Sequence, residues 1–260
     1  MALAYSGGVD SGTLLAVLKL VASRLIAFTV SAQNVPQEDL RRAEDVASYF
    51  KVEFHLVPVD ILKVPHFAEN PPDRCYYCKK EVFTTLQTRV RALGGEILVD
   101  GTNADDIAGD YRPGLQALKE LNVESPWADY GVTKEEIRQI ARHLGLKFAE
   151  APPAACLASR IPYWEPISGE TLEKIAEAER YLRETFSLSQ VRVRLHGGFL
   201  ARIEVLPAAI PVLATKEASH IIVRKFQELG FKFITLDLAG FRSGSLNPPQ
   251  KPQNSPENPK

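Results

Sequence analysis

The sequence predicts an α/β fold, in which a doubly wound parallel sheet covered by helices precedes a smaller C-terminal α+β domain. Strand-like and helix-like segments alternate through the first half of the chain, which is typical of a parallel sheet. A glycine-containing loop joins the first strand to the first helix. The chain has 260 residues, more than the roughly 150 residues of a single domain, so a second and smaller unit is expected.

Short apolar runs and helical spacing define the elements of the first domain. Buried parallel strands are continuous apolar runs, whereas amphipathic helices repeat apolar residues every three or four positions. The predicted strands span residues 2–5, 25–30, 53–59 and 96–99, with a fifth before Trp127. The predicted helices span residues 11–23, 40–50 and 82–93. Thr133 with Glu136 is a capping-box pattern and Gly145 a typical stop, which predicts a helix at 134–144.

A Pro-rich, aperiodic stretch at 151–167 separates the two predicted domains. The second domain is expected to contain helices at 172–182 and 218–229 and strands at 190–195, 199–205 and 231–238. The first two of these strands flank His196-Gly197-Gly198, as in a hairpin. We therefore predict domains at 1–165 and 166–242. The tail, 243–260, has almost nothing apolar to bury and is predicted to be disordered.

Charge and composition exclude several classes of protein. Lys and Arg number 31 against 32 Asp and Glu, a formal net charge of -1, which argues against recruitment by nucleic acid or by an acidic membrane. No run of 18 apolar residues and no signal-peptide pattern is found, so a cytoplasmic location is predicted. An odd number of cysteines, three, cannot complete a disulfide framework, and metal binding or thiol chemistry is the better interpretation.

The glycine loop Ser6-Gly7-Gly8-Val9-Asp10-Ser11 lies between the first strand and the first helix. Glycines allow close approach of the backbone to an anion, and the amides at the helix start favour phosphate oxygens. The loop lacks the Lys-Ser/Thr pair of a Walker A motif and the spacing of a dinucleotide fold. A tight turn capped by Ser6 is the alternative interpretation.

A second motif, Asp100-Gly101-Thr102-Asn103-Ala104-Asp105-Asp106, follows the fourth strand. Ligands bind at the carboxyl edge of such sheets, and three nearby carboxylates suit Mg²⁺. An Asp-rich turn whose carboxylates cap helices is the alternative.

With these two motifs the sequence resembles the ATP pyrophosphatase (PP-loop) superfamily, whose members bind ATP, adenylate an oxygen atom and release pyrophosphate. The resemblance implies a Mg²⁺ ion near Asp105 or Asp10. It also implies that ATP is bound by Ser6, Gly7, Gly8, Val9, Asp10, Ser11, Thr29, Gly101, Thr102 and Asp105.

The cysteines form one C-x-x-C pair, Cys75 and Cys78 at the start of the third helix, and one single residue, Cys156, in the segment CLASRIPY. Such a pair is shared by redox dithiols, zinc sites and iron–sulfur sites. Zinc would need a histidine such as His66 or His143, neither of which has a persuasive spacing. Buried structural thiols are a further alternative, although the neighbouring cations at 74, 79 and 80 favour thiolate character.

Six segments, SGGVDS, PDRCYYCKK, DGTNADD, CLASRIPY, VRVRLHG and DLAGFRSGS, occur along the chain in the order seen in the LarE family of sulfur transferases, which the sequence resembles. The resemblance implies adenylation of the carboxylates of pyridinium-3,5-biscarboxylic acid mononucleotide and their conversion to thiocarboxylates. That reaction serves biosynthesis of the nickel-pincer nucleotide cofactor of lactate racemase, together with LarB- and LarC-type enzymes. It also implies a homo-oligomer such as a hexamer.

The resemblance implies two routes for the sulfur. Some members sacrifice the cysteine that matches Cys156, leaving dehydroalanine, whereas three-cysteine members resemble proteins that hold a four-iron four-sulfur cluster with an extra sulfide. This chain has Cys75, Cys78 and Cys156, so the cluster is favoured and these three are the predicted catalytic and cluster-binding residues.

The predicted hairpin is basic on one face. Arg192 and Arg194 alternate with apolar residues, so one face can be buried while the other presents guanidinium groups able to grip phosphate. A half-exposed sheet with solvated charges is the alternative. The LarE resemblance favours binding of the substrate's phosphate by Arg192 and Arg194, with Ser159 and Arg160 in the same pocket. Arg242 is a further candidate.

Two competing functions and three departures from the family pattern complete the prediction. A tRNA thiolase of the same superfamily is disfavoured by the neutral charge, and a non-catalytic nucleotide sensor with structural zinc belongs to a different class.

Gly12 stands where a hydroxyl residue is common, Trp164 replaces the glycine usual after IPY, and no helix precedes the first strand. Trp127 and Tyr130 could stack on a planar ring, although packing is the favoured interpretation for such aromatic residues.

Overall fold

The computed structural model describes residues 1–108, 112–151, 155–242 and 245–246. Its first half confirms the predicted α/β class, with a parallel sheet whose strands are β1 (Ala2–Ala4), β2 (Ile26–Ser31), β3 (Glu53–Pro58) and β4 (Leu98–Asp100). Within the described residues their order is β3-β2-β1-β4, and all three pairings are parallel. Because β1 is central, the chain turns to opposite sides of it, and a crevice opens at its carboxyl end.

Helices cover both faces of this sheet. The helices of the first half are α1 (Val9–Val21), α2 (Gln37–Tyr49), α3 (Arg74–Ala92), α4 (Ala104–Ala108), α5 (Pro113–Glu120), α6 (Pro126–Asp129) and α7 (Lys134–His143). Apolar residues of α1, α2 and α7 pack on one face of the sheet, and those of α3 and α5 pack on the other. Burial on both faces explains the apolar runs of β1 and β2, whereas the edge strand β3 is largely unburied. Helices α4 to α6 are too short for periodicity to predict.

The fifth expected strand is reduced to a single bridge between Val99 and Glu124. The Asp100 amide donates to the Glu124 carbonyl over 2.9 Å. Asn122 has a φ of +50°, and Pro126 already begins α6. Only three residues between them can be extended, so a longer strand cannot form.

A second unit follows in the C-terminal part, and it consists of a three-stranded sheet together with helices. Its elements are α8 (Gly169–Phe186), β5 (Val191–His196), β6 (Leu200–Val205), α9 (Ile210–Leu213), α10 (Lys216–Glu228) and β7 (Phe233–Leu236). The predicted hairpin is confirmed, with β5 and β6 antiparallel, and β7 pairs parallel to β6. Its core also takes in Ile61, Phe67, Leu157 and Ile161, which precede the predicted boundary. The division at residue 165 therefore stays a prediction.

Within the described ranges, no helix is long and apolar enough to cross a membrane. The tail predicted at 243–260 lies outside the described residues, apart from Ser245 and Leu246.

Two departures from the family pattern have local physical explanations. Trp164 has a φ of +69°, a left-handed conformation that glycine adopts readily, so a family glycine fits this backbone better than tryptophan does. A Cβ built on Gly12 would lie 2.9 Å from Cε2 of Phe148. The Phe148 ring therefore occupies the space that a hydroxyl residue at position 12 would need.

Replacing Gly12 by serine is expected to lower the free energy of unfolding by about 1–3 kcal/mol, the usual cost of overpacking. Urea unfolding followed by circular dichroism measures this change. In a Phe148→Ala background the same Gly12→Ser replacement should cost less than in the parent, because the ring is gone. An equal loss in both backgrounds would show that the Phe148 contact is not the cause.

Candidate functional site

A cavity of about 480 Å³ opens at the carboxyl edge of β1, β2 and β4. Its size lies within the range of small-molecule sites. Eight of the predicted ATP residues line it, namely Ser6, Gly8, Val9, Asp10, Ser11, Thr29, Gly101 and Thr102. One wall is apolar and consists of Phe28, Val30, Val82, Phe83 and Leu86. A polar floor and an apolar wall suit a ligand with a charged end and a flat, poorly hydrated end.

Two serine hydroxyls close the glycine loop. The Ser6 amide donates to Oγ of Ser11 over 3.2 Å, and the two hydroxyl oxygens lie 3.0 Å apart. The Gly8 amide donates to Oγ of Ser6 over 3.4 Å. Gly8 is the N-cap of α1, where no side chain caps the helix, so the first amides of α1 can donate to an anion in the cavity.

Gly7 and Gly101 both allow close packing around the glycine loop, and Gly101 also lines the cavity. Gly7 has a φ of +73°, and a Cβ on it would lie 3.0 Å from Cβ of Ala43 in α2. Its carbonyl accepts from Nε of Arg42 over 3.2 Å. A Cβ on Gly101 would lie 2.9 Å from the Ser11 amide nitrogen. The two motifs predicted from distant parts of the sequence are therefore in direct contact.

The three carboxylates of the second motif do not converge. Asp100 accepts from the Thr102 amide and hydroxyl and from the Ser125 hydroxyl. Asp105 is exposed and accepts from the Lys134 amide over 2.7 Å. Asp106 lines the cavity and forms an ion pair with Arg112 at 3.0 Å. Asp100 also lines the cavity, but among the described residues no three such side chains are close enough together to hold a metal ion, so the expected cluster of three is wrong.

Asp10 is the carboxylate that best fits a Mg²⁺ ion accompanying ATP. It lines the cavity, and its Oδ1 is buried without a hydrogen-bond partner among the described residues. Its Oδ2 accepts from Nζ of Lys134 over 3.1 Å. Carboxylate oxygens are the ligands that Mg²⁺ prefers. The predicted role of Asp105 toward this ion stays a prediction.

Lys134, Lys79 and Arg138 also line the cavity and were not predicted from the sequence. Lys134 is the first residue of α7, directly after the Thr133 N-cap of the predicted capping box, which is confirmed. Nζ of Lys79 lies 4.0 Å from Asp100. The capping box contained the signal for Lys134, because it fixes which residues occupy the first turn of α7. These cations favour a polyanionic ligand.

The cysteines lie on two neighbouring elements. Cys75 and Cys78 are in the first turn of α3, as predicted, and Cys156 precedes a 3₁₀ turn at Leu157–Arg160. Burial raises the pKa of both helix thiols, and the proximity of Cys156 raises it further, whereas Arg74 and Lys79 offset only part of this. Thiolate character in the free thiols was therefore a wrong expectation. Lys80, the third cation, pairs with Glu120 instead.

Because Cys156 contributes to the raised pKa of both Cys75 and Cys78, the three sulfurs share one neighbourhood. Within the described residues, however, no three His, Cys, Asp or Glu side chains are close enough together to hold a metal ion. Nδ1 of His66 lies 3.3 Å from Glu69, and the zinc alternative likewise finds no ligand set among the described residues. The cysteines as placed thus fit a cluster by number and neighbourhood but not by ligand geometry.

Arginines converge on a second cavity of about 300 Å³ between α2, α8 and the start of β5. Its lining includes four arginines and one glutamine, together with three carboxylates: Arg42, Arg160, Arg183, Arg192, Gln190, Glu38, Asp39 and Glu179. Burial lowers the pKa of Arg192 to about 10, with a further contribution from Arg160. Nε2 of Gln190 and Nε of Arg183 are buried without a hydrogen-bond partner among the described residues. An anionic group in this cavity would stabilise the charge of Arg192 and accept hydrogen bonds from these two donors.

The predicted phosphate residues therefore separate into two groups. Arg160 and Arg192 line this second cavity, whereas Ser159 and Arg194 do not. Arg194 is 5% exposed and bonds to Glu204 and to the Ser159 carbonyl. The expectation that one face of the hairpin presents exposed guanidinium groups is wrong, because Arg192 and Arg194 are both buried and Arg194 donates to Glu204 and to the 3₁₀ turn.

The remaining candidates have simpler surroundings. Arg242 is exposed and lies 3.4 Å from Asp237. Trp127 is buried, and its Nε1 donates to the Asp10 carbonyl over 3.0 Å, which agrees with the favoured packing role. Tyr130 is 86% exposed.

Comparisons with known proteins are consistent with these features. A family model described as asparagine synthase matches residues 2–188. Uncharacterized protein slr1717 of Synechocystis sp. is 41% identical over 247 residues, covering 94% of this chain and 91% of its own. Pyridinium-3,5-bisthiocarboxylic acid mononucleotide synthase of Lactiplantibacillus plantarum is 32% identical over 246 residues, covering 94% and 87%. The tRNA-specific 2-thiouridylase MnmA of Geobacter metallireducens is 27% identical over 190 residues, covering 56% and 51%. The similarity to the synthase extends over both sheets.

Proposed function

The chain belongs to the LarE family within the PP-loop superfamily, and from this premise we propose that it is an ATP-dependent sulfur transferase. Its proposed substrate is pyridinium-3,5-biscarboxylic acid mononucleotide, whose carboxylates it would convert to thiocarboxylates for the nickel-pincer nucleotide cofactor. The observation that carries this proposal is the close approach of two sites. Arg42, which lines the arginine cavity, donates to the carbonyl of Gly7 in the glycine loop.

The first half of the reaction is adenylation. A substrate carboxylate oxygen attacks the α-phosphorus of ATP, and the bond to the bridging oxygen breaks as pyrophosphate leaves. The free amides of α1 hold phosphate oxygens, and Lys134 and Lys79 neutralise the charge that develops on the leaving group. Asp10 is placed to hold the Mg²⁺ ion that accompanies ATP. These residues supply position and charge, which account for most of the catalysis of phosphoryl and nucleotidyl transfer.

The arginine cavity, which is the second cavity of about 300 Å³ between α2, α8 and the start of β5, is the proposed site of the substrate's phosphate. Arg192 and Arg160 were predicted for this role, and Arg160 would act through its charge, because its Nε and Nη2 already donate to Glu179. Nε2 of Gln190 and Nε of Arg183 add two donor atoms that have no partner among the described residues. Main-chain carbonyls of Ala155 and Cys156 accept from Nη1 of Arg160. A mononucleotide held here by its phosphate would thus lie beside the loop that carries Cys156.

The second half of the reaction is sulfur transfer to the activated carboxyl carbon, with release of AMP. If Cys156 is the donor, its sulfur forms a thioester as the acyl–oxygen bond to AMP breaks. Loss of the Cys156 Cα proton then expels the thiocarboxylate from Cβ, leaving dehydroalanine. The four-iron four-sulfur cluster on Cys75, Cys78 and Cys156 stays the favoured prediction from the filled cysteine positions, although their geometry here does not form its ligand set.

The decisive experiment combines pyrophosphate release with intact-protein mass spectrometry. Anaerobically purified chain is incubated with ATP, Mg²⁺, sulfide and the pyridinium mononucleotide. We expect pyrophosphate release that depends on the mononucleotide, with thiocarboxylate formed. A protein that is brown as purified and unchanged in mass after repeated turnover supports the cluster, whereas loss of the mass of hydrogen sulfide per turnover supports sacrifice of Cys156. No pyrophosphate release from a colourless, zinc-containing chain would contradict the proposal and support a nucleotide sensor.

A tRNA thiolase is the second candidate, because the 2-thiouridylase similarity covers 56% of this chain. Substituting unmodified tRNA for the mononucleotide in the same assay separates the two. Pyrophosphate release with tRNA alone, suppressed by salt, would replace the first proposal with this one. The proposed hexamer and the LarB- and LarC-type partner enzymes stay predictions.

Replacing Lys134 by methionine is expected to raise the KM for ATP about 10- to 100-fold, corresponding to the ~1.5–3 kcal/mol of a hydrogen bond to a charged group. The cause is the loss of a cation from the wall of the nucleotide cavity, which is the 480 Å³ cavity at the carboxyl edge of β1, β2 and β4. Steady-state pyrophosphate release measures the change. Lys147→Met is the matched control, since Lys147 is exposed and outside that wall. Equal KM values for the two variants would exclude a role for Lys134 in ATP binding.

A further inference from the structure

The sulfur of Cys156 accepts a hydrogen bond from a buried amide. Nδ2 of Asn34 donates to Sγ of Cys156 over 3.1 Å. Asn34 is 5% exposed, although Cys156 itself is exposed. The two residues are 122 positions apart in the sequence. A buried amide hydrogen bond that ends on an exposed thiol is unusual, because amides usually pair with oxygen acceptors.

Asn34 also binds the main chain next to this cysteine. The main-chain carbonyl of Asn34 accepts from the Leu157 amide over 2.9 Å. On the other side, Nη1 of Arg160 donates to the carbonyls of Ala155 and Cys156. The loop backbone is therefore held by contacts that do not need the Asn34 side chain. What the side-chain amide adds is the direction of the sulfur.

The loop that carries Asn34 is also held in place by its neighbour Gln33. Gln33 donates through Nε2 to Asp60 over 2.9 Å, and its Oε1 accepts from the Ile61 amide over 3.1 Å. Val35 lines the nucleotide cavity, and α2 begins two residues later. Asn34 thus extends from the edge of the ATP-binding sheet to the cysteine loop.

We propose that Asn34 is a positioning residue for sulfur transfer, and that its side-chain amide holds the Cys156 sulfur in one orientation and donates to the charge that this sulfur carries when it reacts. The proposal rests on the proposed function in the form in which Cys156 is the sulfur donor, because a sulfur bound to iron does not itself react. The N–H···S hydrogen bond is a property of the chain without ATP or substrate. It assigns a role to a residue in a segment outside the six family motifs.

The test is selective alkylation of the metal-free full chain by iodoacetamide at one pH. Peptide mass spectrometry gives the rate for Cys156, which is exposed, and the ratio of this rate to that of glutathione added to the same sample is the readout. Asn34→Asp keeps the shape but replaces the donor by an acceptor, and Asn34→Leu removes it without adding charge. We expect the ratio to fall about tenfold in Asn34→Asp and severalfold in Asn34→Leu, as for loss of one hydrogen bond to a charged group.

Two controls separate positioning from folding. Gln33→Leu removes the neighbouring amide, which contacts Asp60 and Ile61 but not Cys156, and should leave the ratio within twofold of the parent. Unfolding midpoints identify any variant that is not folded, and Asn34→Leu serves if buried charge prevents Asn34→Asp from folding. A ratio within twofold of the parent in every folded Asn34 variant would overturn the proposal.

A turnover measurement distinguishes failure of this inference from failure of the proposed function. Thiocarboxylate formed per pyrophosphate released should fall in the Asn34 variants. If the parent releases no pyrophosphate while the alkylation ratio still depends on Asn34, the function is wrong and the positioning role stands. If the parent forms thiocarboxylate and neither readout responds to Asn34, only the positioning role is wrong.

Discussion

An alanine at position 7 is expected to lower the rate of pyrophosphate release about a hundredfold, the usual effect of misplacing a binding group by an ångström. Gly7 has a φ of +73°, which costs an L-residue about 1–2 kcal/mol. Its added Cβ would also lie 3.0 Å from Cβ of Ala43 and 3.1 Å from the Asp39 carbonyl. Either α2 or the glycine loop must move, and the loop carries the amides that we propose bind triphosphate.

Gly94 provides a matched control, because it has the same φ of +73°, and a Cβ added to it would meet no described residue within 4 Å apart from its chain neighbours. Gly94→Ala therefore experiences the backbone penalty alone. We expect it to lose about 1–2 kcal/mol of unfolding free energy and to release pyrophosphate within twofold of the parent rate. Urea unfolding and a coupled pyrophosphate assay measure both effects. If the two alanine variants have the same rate, the position of this loop does not control adenylation.

Local patterns explain why most of the fold could be predicted from the sequence. The capping box at Thr133 and Glu136 is made by residues three apart and forms as expected. The hairpin of β5 and β6 also depends on neighbouring residues, those of the His196-Gly197-Gly198 turn. The glycine loop is equally local, which is why its place in the nucleotide cavity could be predicted.

The parts of the site that could not be predicted depend on contacts between distant segments. Asp105 turns to the Lys134 amide 29 residues away, and no spacing rule indicates that it leaves the cavity. Alternation along β5 predicts two faces but not what packs on each, so the burial of Arg192 and Arg194 was not expected. Charge neighbours in the sequence suggested thiolates at Cys75 and Cys78, whereas burial, a tertiary property, raises the pKa of both thiols.

Buried ion pairs join these distant segments to the reactive loop. Arg160 is 1% exposed, and its Nε and Nη2 donate to the two oxygens of Glu179 in α8 over 2.7 and 3.0 Å. Its Nη1 holds the carbonyls of Ala155 and Cys156. The Val193 amide of β5 also donates to Glu179. One carboxylate therefore ties α8, β5 and the cysteine loop together.

Replacing Glu179 by glutamine is expected to lower the free energy of unfolding by about 3–5 kcal/mol, the cost of leaving a buried charge without its partner. Arg160 would keep its charge in a buried position, with Arg192 nearby. Glu177→Gln is the matched control, since Glu177 lies on the same helix and pairs with Arg180 and Lys225 near the surface. That change should cost no more than about 1 kcal/mol.

The pH dependence of stability gives an independent check. Burial opposes ionisation of Glu179, but Arg160 and its hydrogen bonds outweigh it and hold the pKa of the carboxyl below its ordinary value of 4.5. Glu179 therefore stabilises the folded chain above that value, and the contribution declines as the pH falls toward the folded pKa. Urea unfolding of Glu179→Gln should accordingly show a smaller loss of stability on acidification than the parent. Parent-like stability at neutral pH, together with a parent-like acid response, would mean that Arg160 finds another partner and that Glu179 does not hold the cysteine loop.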